Sequence, residues 1–538
     1  MAGDIIVLKF GGSVLRSQAD VPTAVHEIYR WYRAGWRVVA FASSIGDSLL
    51  EFSLDRVGVP ARVIGPWEVG LTMSGVALDN DASAVHANQF LTLLEQSPVL
   101  VVAGFGYSAD GRLQLSEPGG SDHSAVYLAH ALRASRCRLL KNVDGIYESD
   151  PAAAAPSSSL QRFSALGYAD ALELATTLIQ PKAIQLLDRY SARAEVAAIA
   201  SPYESVIGRF GRTPAQPTPS EPTSVLILGL GEIGRGIYRR VAAMPEHFNV
   251  IGALVRDRNK YAESDLNTPP LFDSLQAVSN EHPDVVIDAL PGLEPSQSLV
   301  SHFLERGVSV VSANTTLIAD AGRKLVALAA RCNAYLSYSA AVGGSAPMLE
   351  ALRREIHQGD IRSIAAVFSG AASHILDRCA KGFAFQDLVL NAQAELGADA
   401  LDEQLSGATS VRKLKVLARH AFGHDPDALH AELFDAQALA RARDSSGENC
   451  TLRLVARSWK ISHRVFGQLQ LEALDRRDPF AQVQPEWNRL LITRSNGQEV
   501  VIQGRGGGRW PTTEALMADL LDVRFSHLAL TRPAADKP

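Results

Sequence analysis

The glycines of GLGEIG, residues 229–234, have the types and spacing that bind a dinucleotide. They form a GxGxxG motif between an apolar run that predicts a strand and an amphipathic run that predicts a helix. In this arrangement the first glycine makes the turn, the second admits a pyrophosphate, and the third lets the helix pack on the strand. The motif therefore predicts cofactor contacts by Gly229, Leu230, Gly231, Glu232, Ile233 and Gly234.

The next predicted strand ends in GALVRDR, which places Arg256 rather than an acid at the strand tip. A carboxylate at this position binds the ribose hydroxyls of NAD, whereas an arginine accommodates the 2′-phosphate of NADP. The sequence therefore favours NADP over NAD. Two alternatives stay open: Arg256 is a solvated side chain, and Asp257 meets a ribose hydroxyl.

Three loops in the first part of the chain combine glycine with charged residues. VLKFGGS places Lys9 at the end of a predicted strand, ahead of Gly11, Gly12 and Ser13. The N–H groups of such a loop can approach a phosphate, and the lysine supplies positive charge. GGSDHSA places Asp122 near the start of a predicted helix, and NVDGIYESDP forms a turn rich in Asp and Gly.

These loops resemble those of the amino acid kinase fold, specifically of aspartokinase, over residues 1–209. The resemblance implies that ATP binds in this part of the chain and that the first loop contacts the transferred phosphate. The kinase-like nucleotide site that it implies consists of Lys9, Gly11, Gly12, Ser13, Asp122, Asp144, Tyr147 and Asp150.

Charged residues of the aspartokinase pattern are replaced in this chain. Pro118 stands where the family has an arginine, and Leu71 stands where it has an aspartate-binding glutamate. Phosphoryl transfer depends on positioned charge. We therefore expect a degenerate kinase-like domain, retained for structure or ligand binding, without the ACT regulatory domains that the family places after its kinase domain.

From residue 224 to about residue 523 the chain resembles homoserine dehydrogenase. The resemblance rests on VVSAN, YSAAVGGSAP, FSGAASHIL, LSGATSVRKLKVLAR and the closing VVIQGRGGGRWPTTEALMADLL. It implies that NAD(P)H reduces L-aspartate 4-semialdehyde to L-homoserine and that Lys413 is the catalytic residue. It also implies cofactor contacts by Ala313, Asn314 and Gly508, and substrate contacts by Gly343, Gly344, Ser369, Gly370 and Ser373.

The whole chain resembles a shortened bifunctional aspartokinase–homoserine dehydrogenase. The resemblance implies a place in threonine and methionine biosynthesis and a homodimer formed through the dehydrogenase domain. Several charged residues of the dehydrogenase pattern are also replaced, by Thr315, Ser339 and Thr409, and the substrate-binding glutamate has only Asp402 or Glu403 as a counterpart. Two alternatives therefore stay open: an oxidoreductase of this fold acting on another small aldehyde, and a non-catalytic nucleotide- or ligand-binding scaffold.

The motifs lie between apolar runs, which predict strands, and amphipathic runs, which predict helices. The alternation predicts an α/β protein with parallel sheets covered by helices, both before residue 209 and after residue 224. The proline-rich RFGRTPAQPTPSEPTS between them predicts a linker at 210–223. We expect an amino acid kinase-like domain at 1–209, a Rossmann domain at 224–335, an α+β catalytic and dimerisation domain at 336–500, and a C-terminal segment at 501–538 that returns to the nucleotide domain.

Composition excludes several classes of partner. The net charge of −6 and the pI near 6.2 provide no basic surface for nucleic acid or an anionic membrane. The four cysteines lie far apart, which predicts reduced thiols and no metal site. No apolar run is long enough to span a membrane. We expect a cytoplasmic enzyme with a small-molecule substrate.

Overall fold

The computed structural model describes residues 4–42, 47–74, 81–103, 105–107, 113–115, 120–151, 160–175, 177–216, 221–261, 268–368, 370–396, 405–432, 435, 437–440 and 450–530. The chain divides into two compact units, residues 1–219 and 220–538. Within the described ranges, no helix has the length and apolar character needed to cross a membrane.

The first unit is built on a parallel sheet. Its strands are β1 (Ile5–Phe10), β2 (Arg37–Ala42), β3 (Ala61–Ile64), β4 (Thr72–Ser74), β5 (Asp81–Ala84), β6 (Val99–Ala103), β7 (Phe105–Tyr107), β8 (Leu113–Leu115), β9 (Arg136–Lys141), β10 (Ile146–Tyr147), β11 (Arg162–Leu166), β12 (Ala194–Ala198), β13 (Ser205–Ile207) and β14 (Thr213–Pro214). Its helices are α1 (Val21–Arg33), α2 (Asp47–Val57), α3 (Ala87–Gln96), α4 (Gly120–Ala131), α5 (Tyr168–Leu174) and α6 (Pro181–Tyr190).

The larger sheet of this unit has ten strands in the order β10-β11-β13-β12-β9-β1-β2-β6-β3, with β14 paired to β11. The strands from β12 to β3 in this order are parallel. Every residue of β1 is buried, as expected for a parallel strand covered on both faces. Strand β14 lies inside the predicted linker, because an extended segment can pair its backbone with the neighbouring strand.

A second parallel sheet opens the second unit. Its strands are β15 (Thr223–Leu228), β16 (Phe248–Leu254), β17 (Leu271–Phe272), β18 (Val285–Asp288), β19 (Ser309–Ser312) and β20 (Leu336–Ser337), and its helices are α7 (Glu232–Ala242), α8 (Leu275–Ser279), α9 (Ser296–Glu305) and α10 (Thr315–Arg331). The strand order β17-β16-β15-β18-β19-β20 reverses direction next to β15, as in doubly wound folds. Ligands of such sheets bind at this reversal, beyond the carboxyl ends of the strands. The predicted boundary at residue 335 falls just before β20, which pairs with this sheet.

The remainder of the second unit is α+β. Its strands are β21 (Ile361–Val367), β22 (Ala428–Ala431), β23 (Cys450–Ile461), β24 (Arg464–Asp475), β25 (Trp487–Arg494) and β26 (Glu499–Arg505), and its helices are α11 (Ala340–Gly343), α12 (Met348–Gln358), α13 (Gly370–Ala380), α14 (Phe385–Leu396), α15 (Ala408–Phe422) and α16 (Arg509–Leu530). The strands form one sheet in the order β22-β24-β23-β21-β25-β26.

The final helix joins the two parts of the second unit. Helix α16 packs on α7, and its Glu514 carboxylate pairs with the Arg240 guanidinium at 2.9 Å. Strand β26 pairs with β25, so residues 501–505 belong to the sheet and the return to the nucleotide region begins at α16. The segment between β26 and α16 therefore connects this sheet to the helix that packs on α7.

Candidate active site

The GxGxxG motif forms a tight turn between β15 and α7. Gly229 has a φ of +94°, a conformation that favours glycine. A Cβ at Gly234 would lie 1.8 Å from the Gly229 carbonyl oxygen, so only glycine lets the helix start so close to the strand. Gly231 caps α7, and a Cβ there would meet no atom within 4 Å among the described residues. The turn thus leaves open backbone at the helix N-terminus, which suits a pyrophosphate.

The other residues of the motif divide between core and surface. Leu230 is buried, whereas Glu232 is exposed and Ile233 half-buried. The Leu230 carbonyl oxygen accepts a hydrogen bond of 2.9 Å from the Tyr261 hydroxyl, which fixes the outer side of the turn.

The loop after β16 is basic and exposed. Arg256 is exposed and forms no ion pair with any residue in the described ranges. Asp257 accepts a hydrogen bond from the backbone N–H of Asn259, and Arg258 pairs with Asp273 at 3.1 Å. The Arg256 side chain is therefore open to solvent.

The end of β19 lies at the same edge of the sheet. Ala313 is half-buried there and donates its N–H to the Asp288 carbonyl oxygen. The Asn314 side chain accepts from the Leu317 N–H at 3.0 Å and donates to the Gly292 carbonyl oxygen at 2.6 Å. Asn314 therefore caps α10 and holds a neighbouring loop, which places its side chain in a structural role at the predicted cofactor position.

Lys413 lies on α15 and is buried, with 8% of its surface exposed. Its Nζ atom donates to the Gly506 carbonyl oxygen at 3.5 Å and lies 5.8 Å from the centre of the Phe368 ring. It forms no ion pair with any residue in the described part of the chain. Burial alone lowers the pKa of this amine to about 8, because desolvation disfavours the ammonium form.

The predicted substrate loop meets the same strand end as Lys413. Gly344 has a φ of +62°, and a Cβ on it would lie 2.5 Å from the Arg505 carbonyl oxygen. That carbonyl accepts a hydrogen bond of 3.1 Å from the Ser345 N–H. Gly343 is buried at the end of α11. Residues 343–345 therefore lie directly against the segment that contacts Lys413.

The loop after β21 lies against the residues that hold the Gly506 segment. A Cβ on Gly370 would lie 2.8 Å from the Pro485 carbonyl oxygen, and Ser373 is buried on α13. The neighbouring Glu486 carbonyl oxygen accepts from the Gly506 N–H at 3.1 Å. Ser369 lies outside the described residues, as do Pro118, Asp402 and Glu403.

Gly508 connects the residues around Lys413 and Gly506 to the nucleotide region. It has a φ of +91° and directly precedes α16. Helix α16 is so close to α7 that a Cβ on Gly236 would lie 2.4 Å from Thr513 Oγ1. Residues 506–508 therefore lead from the Lys413 amine into α16, which packs on the helix that follows the dinucleotide turn.

Two of the replaced positions have structural contacts. The Thr315 hydroxyl donates to the Ala341 carbonyl oxygen at 2.5 Å. Ser339 donates its hydroxyl to Glu350 at 2.5 Å and its N–H to Asp519 at 2.9 Å. These contacts hold α11 against α10, α12 and α16.

Sequence reasoning missed Phe368 and Gly506, which contact the Lys413 amine, and Asn488, which packs against Gly506. Phe368 directly follows β21, and Asn488 is a buried residue of β25. The inward position of Asn488 was readable from the alternation of burial along β25. The contacts of Phe368 and Gly506 with Lys413 were not readable, because they depend on how the sheet packs against α15.

The first unit has its own buried charge cluster. Asp122 contacts Lys9 Nζ at 2.8 Å and Lys141 Nζ at 2.9 Å, and all three side chains are buried. The pKa of Lys141 is lowered by burial and by Lys9, against the attraction of Asp122. Lys141 ends β9 next to β1, a pairing that the sequence did not reveal. Two ammonium groups thus share one carboxylate at the carboxyl edge of the sheet.

The remaining predicted kinase-like residues are near this edge but differ in exposure. Gly11 is buried against Lys9, whereas Gly12, Ser13 and Asp150 are exposed. The Tyr147 hydroxyl donates to Asp144 at 2.6 Å. Burial and the Asp144 carboxylate raise the pKa of Tyr147. Leu71, at the position of the expected glutamate, is fully buried in the apolar core.

Three family models match separate parts of the chain. The amino acid kinase family matches residues 37–197, the NAD-binding domain of homoserine dehydrogenase matches residues 229–339, and the homoserine dehydrogenase family matches residues 347–521. These matches agree with the α/β architecture and with the division between a kinase-like and a dehydrogenase part.

Individual relatives cover the second part of the chain. The homoserine dehydrogenase of Synechocystis sp. is 26% identical over an alignment 325 residues long, which covers 55% of this chain and 72% of that protein. The homoserine dehydrogenase of Pseudomonas aeruginosa is 27% identical over an alignment 317 residues long, which covers 56% of this chain and 72% of that protein. The crystal structure of a homoserine dehydrogenase from Thiobacillus denitrificans matches with a TM-score of 0.52 and 27% identity, over 60% of this chain and 77% of that one.

Proposed function

We propose that this chain, which joins an amino acid kinase domain to the nucleotide-binding and catalytic domains of a homoserine dehydrogenase, is an NADP-linked homoserine dehydrogenase. Its reaction is the reduction of L-aspartate 4-semialdehyde to L-homoserine. The observation that carries the proposal is the buried amine of Lys413 beside Gly506. Gly506 belongs to the segment that leads into α16, and α16 packs on α7, the helix that follows the dinucleotide turn.

The residues around the turn fit a dinucleotide. Gly231 presents backbone without a side chain at the N-terminus of α7, where a pyrophosphate finds unpaired N–H groups and the positive end of the helix dipole. When bound, the nicotinamide cofactor supplies the hydride for carbonyl reduction. The half-buried Ala313 and the residues of the glycine turn would border it.

Lys413 supplies the proton. As the hydride adds to the carbonyl carbon, negative charge develops on the aldehyde oxygen, and the Lys413 ammonium donates a proton to it. An amine with a pKa of about 8 is mostly protonated at neutral pH, yet gives up its proton more readily than an exposed lysine. In the reverse direction the neutral amine accepts the hydroxyl proton of homoserine.

Arg256 supports NADP as the cofactor. Its exposed guanidinium follows the tip of β16, where the 2′-phosphate of NADP is expected, and Arg258 and Lys260 add positive charge nearby. The competing contact, Asp257, is already hydrogen-bonded to the Asn259 N–H.

For the first unit we propose a kinase-like domain without aspartokinase activity. Leu71 in the apolar core offers no carboxylate for an aspartate amine. The Lys9–Asp122–Lys141 cluster retains positive charge at the sheet edge, which suits an ATP phosphate held without transfer. An assay for ADP release with ATP and L-aspartate tests this, and we expect no release above background.

The proposal also covers the compartment, the oligomeric state and the pathway of the enzyme. We propose a cytoplasmic homodimer, joined through the dehydrogenase part, that serves threonine and methionine biosynthesis. Oxidation of NADPH in the presence of L-aspartate 4-semialdehyde is the experiment that tests the proposed reaction.

A further inference from the structure

Asn488 carries a buried carboxamide with unused hydrogen-bonding capacity. Only 1% of its surface is exposed, and neither its Oδ1 nor its Nδ2 atom has a partner among the described residues. A buried amide without partners costs free energy, so native proteins usually satisfy such groups with protein, water or ligand. The next residues on the same face of β25, Leu490 and Ile492, are apolar and belong to the core. The amide therefore adjoins apolar core residues, whereas Arg494, the other buried polar residue on this face, is paired with Glu355.

The position of this amide is close to the proposed reaction centre. A Cβ on Gly506 would lie 2.0 Å from Asn488 Oδ1, so the carboxamide covers the Cα of Gly506. The carbonyl oxygen of the same Gly506 accepts the hydrogen bond from Lys413 Nζ. On the adjoining strand Asn488 pairs with Gly504, whose Cα faces Ala346 in the predicted substrate loop. The amide thus lies against the glycine segment that both Lys413 and the predicted substrate loop contact.

We infer that Asn488 is a substrate-binding residue. Its carboxamide hydrogen-bonds the amino acid end of the substrate, while the Lys413 amine donates a proton to the carbonyl oxygen at the other end of the substrate. The inference rests on the proposed function and adds the residue that selects the substrate class. A carboxamide offers one acceptor and two donor hydrogens, which match the ammonium and the carboxylate of a zwitterionic amino acid. The carboxamide is uncharged, so it can bind both the ammonium and the carboxylate without gaining or losing a proton.

The test compares two substitutions that remove the amide with a control on the same strand. Asn488→Ala removes the polar atoms without adding bulk, and Asn488→Leu replaces them with an apolar side chain of similar length. Thr493→Ala is the control, because Thr493 is half-buried on the opposite face of β25 and its side chain has no described polar contact. The measurements are the KM for L-aspartate 4-semialdehyde, and the rise in Tm that L-homoserine causes in enzyme saturated with NADP.

We expect both Asn488 variants to raise this KM by about tenfold or more and to lose the homoserine-dependent rise in Tm. The rise in Tm caused by NADP alone should remain, and Thr493→Ala should behave like the wild type. An unchanged KM in Asn488→Ala, or loss of the NADP-dependent rise as well, would overturn the inference. The proposed function fails separately, if the wild type itself neither oxidises NADPH with the semialdehyde nor responds to homoserine.

Discussion

The amine of Lys413 lies 3.5 Å from the carbonyl oxygen of Gly506, just beyond the last residue of strand β26. This contact joins the helix that carries the proposed proton donor to the glycine segment that leads into α16. Because α16 packs on α7, a single stretch of backbone links the reaction centre to the dinucleotide turn. In the proposed enzyme, residues 506–508 would therefore connect the Lys413 amine to the helix packed beside the cofactor-binding turn.

The pH dependence of the reaction should follow the protonation of Lys413. Burial lowers the pKa of its amine to about 8. Reduction of the semialdehyde needs the ammonium form, so its kcat/KM should fall as the pH rises through about 8, whereas oxidation of homoserine should increase over the same range. Rate profiles in both directions check this. Profiles that change in the same direction would exclude Lys413 as the titrating group.

Lys413 should lower the stability of the enzyme at neutral pH. In the unfolded chain its pKa is near 10.5, so between about 8 and 10.5 the unfolded state binds more protons and stability rises with pH. Below this range the buried charge costs up to about 3 kcal/mol. Lys413→Met should therefore raise the free energy of unfolding at pH 7 by up to that amount, with a gain that disappears toward pH 10.5.

Denaturant unfolding across this pH range measures the effect. Lys415→Met provides the matched control, because Lys415 lies on the same helix and is only half-buried. A Lys413→Met variant that is less stable than the wild type at pH 7 would show that the amine has a stabilising partner.

The two glycines of the dinucleotide turn should respond differently to alanine. At Gly234 an added Cβ would overlap the Gly229 carbonyl oxygen, so Gly234→Ala should lower the free energy of unfolding by at least about 2 kcal/mol. At Gly231 the Cβ meets no described atom, so Gly231→Ala should unfold like the wild type but bind NADPH more weakly. Thermal unfolding and NADPH titration distinguish them. Equal effects of the two variants on both measurements would rule out the proposed division of roles.

Arg256 should determine the choice of cofactor. Arg256→Ser removes the charge that would contact the 2′-phosphate, so the KM for NADPH should rise by about tenfold or more while that for NADH stays the same. Arg239→Ser is the control, since Arg239 is also exposed but lies on the last turn of α7. Equal kcat/KM for NADPH in the wild type and in Arg256→Ser would mean that this arginine is only solvated.

The sequence predicted the parts of the fold that depend on local pattern. Apolar alternation identified the parallel strands, and the GxGxxG spacing identified the turn at Gly229, because both follow from strand burial and backbone geometry. The contacts of Asn314 were less predictable. Its cofactor contact, which the resemblance implies, stays a prediction, and its motif gave no sign that its side chain caps α10 and donates to the Gly292 carbonyl oxygen.

Residues brought together only by packing were not predictable. Lys141 and Lys9 end neighbouring strands that lie far apart in the sequence, and their shared contact with Asp122 depends on sheet order. Asn488 reaches Gly506 only because β25 and β26 pair, so that the end of one strand lies beside the start of the other. Motif spacing carries no signal for such contacts.

The most direct test of the account compares NADPH oxidation by the wild type and by Lys413→Met, with L-aspartate 4-semialdehyde as substrate. We predict steady turnover by the wild type and a loss of kcat of about a hundredfold or more in the variant, with NADPH binding retained, because a positioned proton donor contributes rate enhancements of that order. Wild-type enzyme that binds NADPH but leaves the semialdehyde unreduced, or a variant with undiminished kcat, would contradict it.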